Sequence, residues 1–353
     1  MRKNLTVTSL GLIVSAFRSV ITGALAILLV ALFCQGELSR ALGAEVKEKA
    51  EAEGKVVLYA SMGREDCKFF ADAFRSLYPK IDAQFYSAAS SPLAERILTE
   101  SRTGRFAWDV LIITPFYTQL FIKRGLIAPY ESTERKFYRE GYKDPKGMWT
   151  SIYTNYSVLG YNTKLVPNAK VPRSHFDLLK PEWRKQIGMD NRPYEWFAAF
   201  VDAMGQEKGL EFMRSLAQQE PQLRTGRTLV SQLVAAGETE LALTSFSSNF
   251  ESLKKRGAPV DWVALDPVIG YLHPISLSAK APNPNAARLF IDFFLSKKGQ
   301  EIMRSLQRIP DRTDVLPDPP RLVEGIKAVF PSSEMIENLN PYIKLFDRIF
   351  LGK

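Results

Sequence analysis

From residue 55 onward, short runs of strand-forming residues alternate with apolar positions at helical spacing. Residues 55–59 carry Val56, Val57 and Leu58 in succession, as a strand buried on both faces would. Cys67, Phe70, Phe74 and Leu77 then repeat every three or four residues and predict the inner face of a helix. A strand at 81–86 leads to a helix opened by Ser90, Ser91 and Pro92, with a capping serine, proline at the first helical position and Glu95 in the first turn. A third strand at 109–113 ends at Thr114 and Pro115, before a helix through Leu120 and Phe121. A second set fills residues 160–265. Pro193 starts a helix with Phe197, Phe200, Val201 and Met204 on one face. Gly226, Arg227 and Thr228 precede a helix that Gly237 closes, and the strand at 241–244 runs through Ser245–Ser248 into a helix ending at Gly257. A strand-like run at 271–279 leads to a long helix at 284–295.

This alternation predicts an α/β protein built on mostly parallel sheets. Each strand ends in a Ser, Thr or Gly cluster at a helix start. Free N–H groups and the positive end of the helix dipole converge there, which is where open α/β sheets bind ligands. Taken singly, such a cluster is an ordinary helix cap; five or six of them in two facing lobes would make an anion trap.

The first 43 residues follow another rule. A basic start (Arg2, Lys3, Arg18), a 15-residue apolar run from Ser19 to Phe33 and small residues at Ala41, Gly43 and Ala44 predict a secretory leader cleaved near Gly43 or Ala44. The run is short of the roughly 20 residues that span a bilayer. Phe33 before Cys34 is too large for lipoprotein processing, so export to the periplasm without a lipid anchor is expected. Removing the leader takes away four basic residues and Glu37, leaving 43 basic against 37 acidic. That mild excess does not imply nucleic acid. Over the 353 residues, 46% hydrophobic and 24% charged content excludes a disordered or multi-spanning chain, and the length suggests two domains. Only Cys67 remains after cleavage, placed as a buried inert thiol, so no internal disulfide is expected. His175 and His273 are the two histidines, far apart and outside the expected cleft loops, so neither a zinc site nor a Ser/His triad is readily built.

The order of Val56–Ser61 with the helix ending Leu77-Tyr78-Pro79, Trp108-Asp109-Val110, Gly160-Tyr161-Asn162-Thr163, Phe176–Leu179 with Pro181 and Trp183, Ala235–Glu238 and Phe290–Gln300 resembles the extracellular solute-binding proteins of ABC importers. The branch resembled includes ferric-ion-binding proteins and binders of phosphorylated or carboxylated solutes. That resemblance implies a type II periplasmic-binding-protein fold, each lobe a mostly parallel sheet flanked by helices. Hinge strands near Tyr161-Asn162 and Tyr271–Leu277 would join the lobes. It places lobe one at residues 44–157 and 268–316, lobe two at 158–267, and a helical tail at 317–353. It also implies closure around a small solute and a membrane permease and ATPase as partners, the protein itself being a monomer without cofactor.

Ferric-binding members of the family carry adjacent tyrosines where this chain reads Ser245-Phe246-Ser247-Ser248-Asn249. Neutral hydroxyls are poor ferric ligands and good donors to an anion. No metal ligand is therefore assigned, although Tyr59, Tyr86, Tyr117 and Tyr194 leave a ferric alternative open. The expected solute is a phosphate ester, phosphonate or carboxylate, held by Ser61, Ser90, Ser91 and Thr114 from lobe one and by Arg227, Thr228, Ser247 and Ser248 from lobe two. Asn191, Arg192 and Tyr194 form a rim, and Arg64 is a second positive charge. Arg227 could pair bidentately with the anion. The chain has no Gly-x-Ser-x-Gly elbow and no Gly-x-Gly-x-x-Gly loop, so a binding protein rather than an enzyme is expected; an exported hydrolase stands as the alternative from another class, beside a ligand-sensing subunit of the same fold.

Overall fold

The structure is a computed structural model that describes residues 45–352. The expected leader, Cys34 and Lys353 lie outside the described residues. After a helix over residues 45–53 (α1), β1 (Lys55–Ala60) pairs in parallel with β2 (Asp82–Ser87) and with β3 (Val110–Ile112). Helices α2 (Arg64–Leu77), α3 (Ser90–Arg102) and α4 (Pro115–Lys123) alternate with them, followed by the short β4 (Ile127–Ala128). The chain then crosses through β5 (Thr150–Asn162). Beyond it come β6 (Ile187–Asp190), α5 (Tyr194–Met204), α6 (Gln206–Gln218), β7 (Gln222–Arg224), α7 (Arg227–Ala236), β8 (Leu241–Phe246), α8 (Ser247–Lys255) and β9 (Val260–Val263). β10 (Val268–Ser278) crosses back, antiparallel to β5, and leads to α9 (Pro284–Leu295), α10 (Lys297–Ser305) and β11 (Ile309–Pro310). The tail holds β12 (Ala328–Val329), α11 (Ser333–Glu337) and α12 (Asn340–Phe346).

The strands form one continuous sheet in the order β2-β1-β3-β10-β5-β8-β6-β7. Pairing is parallel among β1, β2 and β3 and among β6, β7 and β8, and antiparallel where β5 and β10 cross between the lobes. Alternation along β1 explains why both faces of the first lobe are covered. Val56, Leu58 and Ala60 enter a core with Phe70, Phe74, Phe290 and Phe294, while Tyr59 enters a second core with Leu93, Trp108 and Phe121. Phe70 stacks on Phe294 at 4.2 Å, and Phe74 meets Phe290 edge-on at 4.6 Å. In the second lobe Leu241 and Leu243 face Trp196, Phe197 and Phe200, whereas Ala242 faces Val230, Phe250 and Trp262.

Two expectations about local structure are corrected. No serine caps α3: Ser90 and Ser91 are already its first two helical residues, and extended Ala89 holds the N-cap position with no side-chain cap. β2 runs to Ser87, so only Ala88 and Ala89 remain for the turn, and the helix begins two residues earlier than Pro92 suggests. Pro92 is tolerated because first-turn N–H groups have no intrahelical acceptor. The first crossing strand is also longer than the Tyr161-Asn162 segment suggests, beginning at Thr150.

Candidate functional site

The β1–α2 loop of the first lobe faces the starts of α7 and α8 of the second across a cleft of about 360 Å³, with Tyr153, Asn155 and His273 of the crossing strands in its lining. That volume suits a small polar metabolite. At α7, Gly226 takes φ +101°, a conformation L-residues avoid, and its N–H donates to Asp190 Oδ1 at 3.2 Å. That turn brings Thr228 to the cleft. At β8 the buried Thr244 has φ +68°, a strained position for a β-branched residue, directly before the Ser245–Ser248 turn.

Ser61, Thr228 and Ser248 line this cleft together with Arg64. The Ser61 hydroxyl is buried with no protein partner among the described residues. Ser248 Oγ donates to Asn155 Oδ1 at 2.9 Å. The other residues expected there are elsewhere. Ser90 is half-buried at the start of α3, and Ser91 Oγ lies 2.8 Å from the Tyr117 hydroxyl inside the first lobe. The Thr114 hydroxyl faces the Glu195 carboxyl across the lobes, and burial raises the pKa of that carboxyl above the usual range. The Tyr194 hydroxyl donates to Asp347 Oδ1 at 3.3 Å, which turns it to the tail rather than the cleft rim. Ser247 is fully buried with its hydroxyl unpartnered among the described residues. Arg227 lies between the Phe246 and Tyr271 rings, 4.9 Å from each centroid, with Nε 4.0 Å from Asp190. Its Nη2 reaches the Tyr271 hydroxyl at 3.5 Å, and its Nε is buried without a hydrogen-bond partner among the described residues.

Residues 108–338 match the family of bacterial extracellular solute-binding proteins. The chain belongs to that family. It is 27% identical over 276 residues to an uncharacterized protein of Haemophilus influenzae, covering 74% of this chain and 79% of that one. It is 23% identical over 271 residues to the Fe(3+)-binding periplasmic protein of Serratia marcescens, covering 73% and 78%. The periplasmic binding protein AfuA of Actinobacillus pleuropneumoniae, solved with fructose-6-phosphate bound, superposes with a TM-score of 0.76 at 22% identity. That superposition covers 84% of this chain and 99% of AfuA. At such identity the likeness establishes the two-lobed, type II periplasmic-binding-protein architecture.

Further cleft-lining residues of this solute-binding protein escaped the sequence reading. Arg308, just after α10, is the principal one. Its Nη2 donates to Asp66 Oδ2 at 2.6 Å, its Nη1 reaches Ser248 Oγ at 3.4 Å, and its guanidinium lies 5.5 Å from the Tyr153 ring centroid. Nε is buried without a partner among the described residues. Arg308 thus joins α2 of lobe one to the start of α8 of lobe two. His273 corrects an expectation, because it lines the cleft rather than standing outside it. It stacks on Tyr153 at 4.1 Å, and burial, with Arg308 and Arg227 nearby, pushes its pKa down to about 3. Asn155 Nδ2 faces His273 Nε2 at 3.4 Å while Asn155 Oδ1 accepts from Ser248. The consistent assignment is Nε2 as acceptor and the proton on Nδ1. Only chain geometry could have found these residues, since 66, 153, 273 and 308 belong to four separate segments. His175 does lie away from the cleft, its Nε2 3.1 Å from the Leu265 carbonyl.

Proposed function

We propose that this chain is the binding component of an importer for a small organic anion, a phosphate ester, phosphonate or carboxylate bearing hydroxyl groups. The first lobe would move against the second about the crossing strands β5 and β10, and closure would bring Arg308, Ser61, Thr228 and Ser248 around the solute. The reading rests on one observation, a cleft between helix starts in which the Ser61 hydroxyl and Arg308 Nε are buried without protein partners. Buried donors without acceptors are costly in an empty site, and an oxyanion satisfies them. The fold shared with a fructose-6-phosphate-bound protein supports the same class. A ferric cargo is favoured instead by the relation to the Serratia marcescens protein. Against it, the Ser245–Asn249 stretch holds no tyrosine where the family resemblance implies an adjacent pair in ferric binders, and burial raises the Tyr153 phenol well above its ordinary pKa.

A thermal-shift screen of the mature protein with fructose 6-phosphate, phosphonates, dicarboxylates, ferric citrate and neutral sugars tests the reading. A ligand at 100 times its Kd adds about 2.7 kcal/mol. Stabilisation by an anion, weakened at least tenfold in Arg308→Ala, is expected, tenfold being about 1.4 kcal/mol. Stabilisation by ferric citrate alone, or an anion affinity indifferent to Arg308, overturns it. Recovery of the added compound unchanged after incubation separates binding from hydrolysis.

A further inference from the structure

The tail does not pack on one lobe. Arg321 first ties it to the second lobe, donating to the Trp262 carbonyl at 2.9 Å and pairing with Asp261 at 2.9 Å. β12 then pairs with the start of β10, Ala328 against Val268 and Val329 against Ile269. Phe330 follows and lies over Gly270, so close that a Cβ there would come within 2.6 Å of its ring. Next, α11 packs against α4 of the first lobe, where Lys123 Nζ meets Glu337 Oε2 at 2.9 Å. Finally α12 packs against α5 of the second lobe. Phe346 is fully buried there, 5.5 Å from Tyr194 and 5.7 Å from Phe197, and Gln206 Nε2 donates to the Tyr342 hydroxyl at 2.8 Å.

We propose that residues 317–352 form a strap that limits how far the two lobes separate, and so positions them for solute capture. The geometry sets the limit. Opening moves α4 away from α5, yet α11 is bound chiefly to the first, touching α5 more lightly, and α12 is bound to the second. From Glu337 to Asn340 the connecting chain reaches at most about 11 Å when fully extended. Leu339, inside that connection, is buried and holds it against the protein. Slack comes from a cavity of about 370 Å³ beneath the strap, lined by Pro115, Gln119, Glu195, Leu272, Phe330 and Ile336. It lets α11 shift without first unpacking a core. A strap of this kind keeps the binding-competent form populated in the absence of solute, which removes part of the affinity penalty of closure.

The test needs no solute, so its outcome is independent of the functional reading. Spin labels at Lys68→Cys on α2 and Lys255→Cys on α8, both exposed, report the interlobe distance. Native Cys67 stays unlabelled, because burial pushes its thiol up to about 12. Inserting Gly-Ser-Gly-Ser after Asn338 keeps every strap contact and only lengthens the connection. The expected result is a solute-free distance distribution broadened and shifted outward by about 5 Å or more, with the melting temperature retained. Phe346→Ala, which releases α12, should move the same distribution in the same direction. A distribution unchanged by the insertion overturns the proposal, whether or not Phe346→Ala folds.

Discussion

Asp311 is fully surrounded by protein beneath the crossing strands, and its carboxylate accepts from Ser151 Oγ at 2.5 Å and Thr154 Oγ1 at 2.6 Å. Those bonds favour the charged form, and so does Arg139 more distantly, but burial outweighs them and pushes its pKa up to about 7. Tyr138, Tyr142, Tyr153 and Tyr156 also sense this charge. The sign follows from the raised value. Between about pH 4, where an exposed aspartate ionises, and pH 7, the folded protein holds a proton that the unfolded chain has lost. Asp311 therefore stabilises the fold most at low pH, and that contribution is lost as pH rises through 7. The loss is of order 4 kcal/mol at full ionisation. His273 works in the opposite sense, losing stability as pH falls below 6.5 toward 3, so only the difference between variants isolates Asp311. Asp311→Asn should gain stability relative to the parent as pH rises from 5 to 8, read as urea midpoints across that range. A constant difference between the two proteins would show that Asp311 does not titrate there.

Gly160, inside β5, shows how an element depends on a missing side chain. A Cβ at this position would fall 1.8 Å from Cζ of Phe250, so α8 can rest on the crossing strand only where that strand carries no side chain. Gly160→Ala should cost about 3 kcal/mol, at the upper end for overpacking. Combining it with Phe250→Leu should recover part of that loss, and a double-mutant cycle of urea midpoints measures the coupling. Strict additivity would mean that α8 moves freely instead. The elements themselves were largely legible, because strands buried on both faces read as apolar runs and helices as stripes. What escaped was non-periodic. β5 carries Thr150, Ser151, Thr154 and Asn155 inside the protein, and polar residues made buried by pairing with β10 look like loop in a sequence. Ser61, Thr228 and Ser248 were legible as cleft residues because each sits at a strand-to-helix junction. Arg308 and His273 were not, since one follows a helix and the other lies within a strand, and only the tertiary fold turns them to the same space. Arg227 shows the converse: its place at a helix start was legible, but its position between the rings of Phe246 on β8 and Tyr271 on β10 was not.

The two lobes share more covalent and hydrogen-bonded structure than two beads on a string. One sheet runs through both, β5 and β10 each contribute to it in either lobe, and the tail adds contacts to both sides. Domains that share only a small polar interface melt independently, whereas a common sheet forces the loss of one lobe to expose backbone and apolar surface of the other. Tyr271 and Ile269 of β10 make this concrete, since both belong to the second lobe's core while Ile275 and Leu277, on the same strand, belong to the first. The folded protein should therefore unfold in a single calorimetric transition, with the van't Hoff and calorimetric enthalpies equal. Reductant should leave the midpoint unchanged, because the one cysteine among the described residues is an unpaired buried thiol. Two resolved transitions would show that the crossing strands transmit too little free energy to couple the lobes. In that case the strap-lengthened variant should separate the transitions further, because it removes a restraint acting between lobes and leaves each core intact.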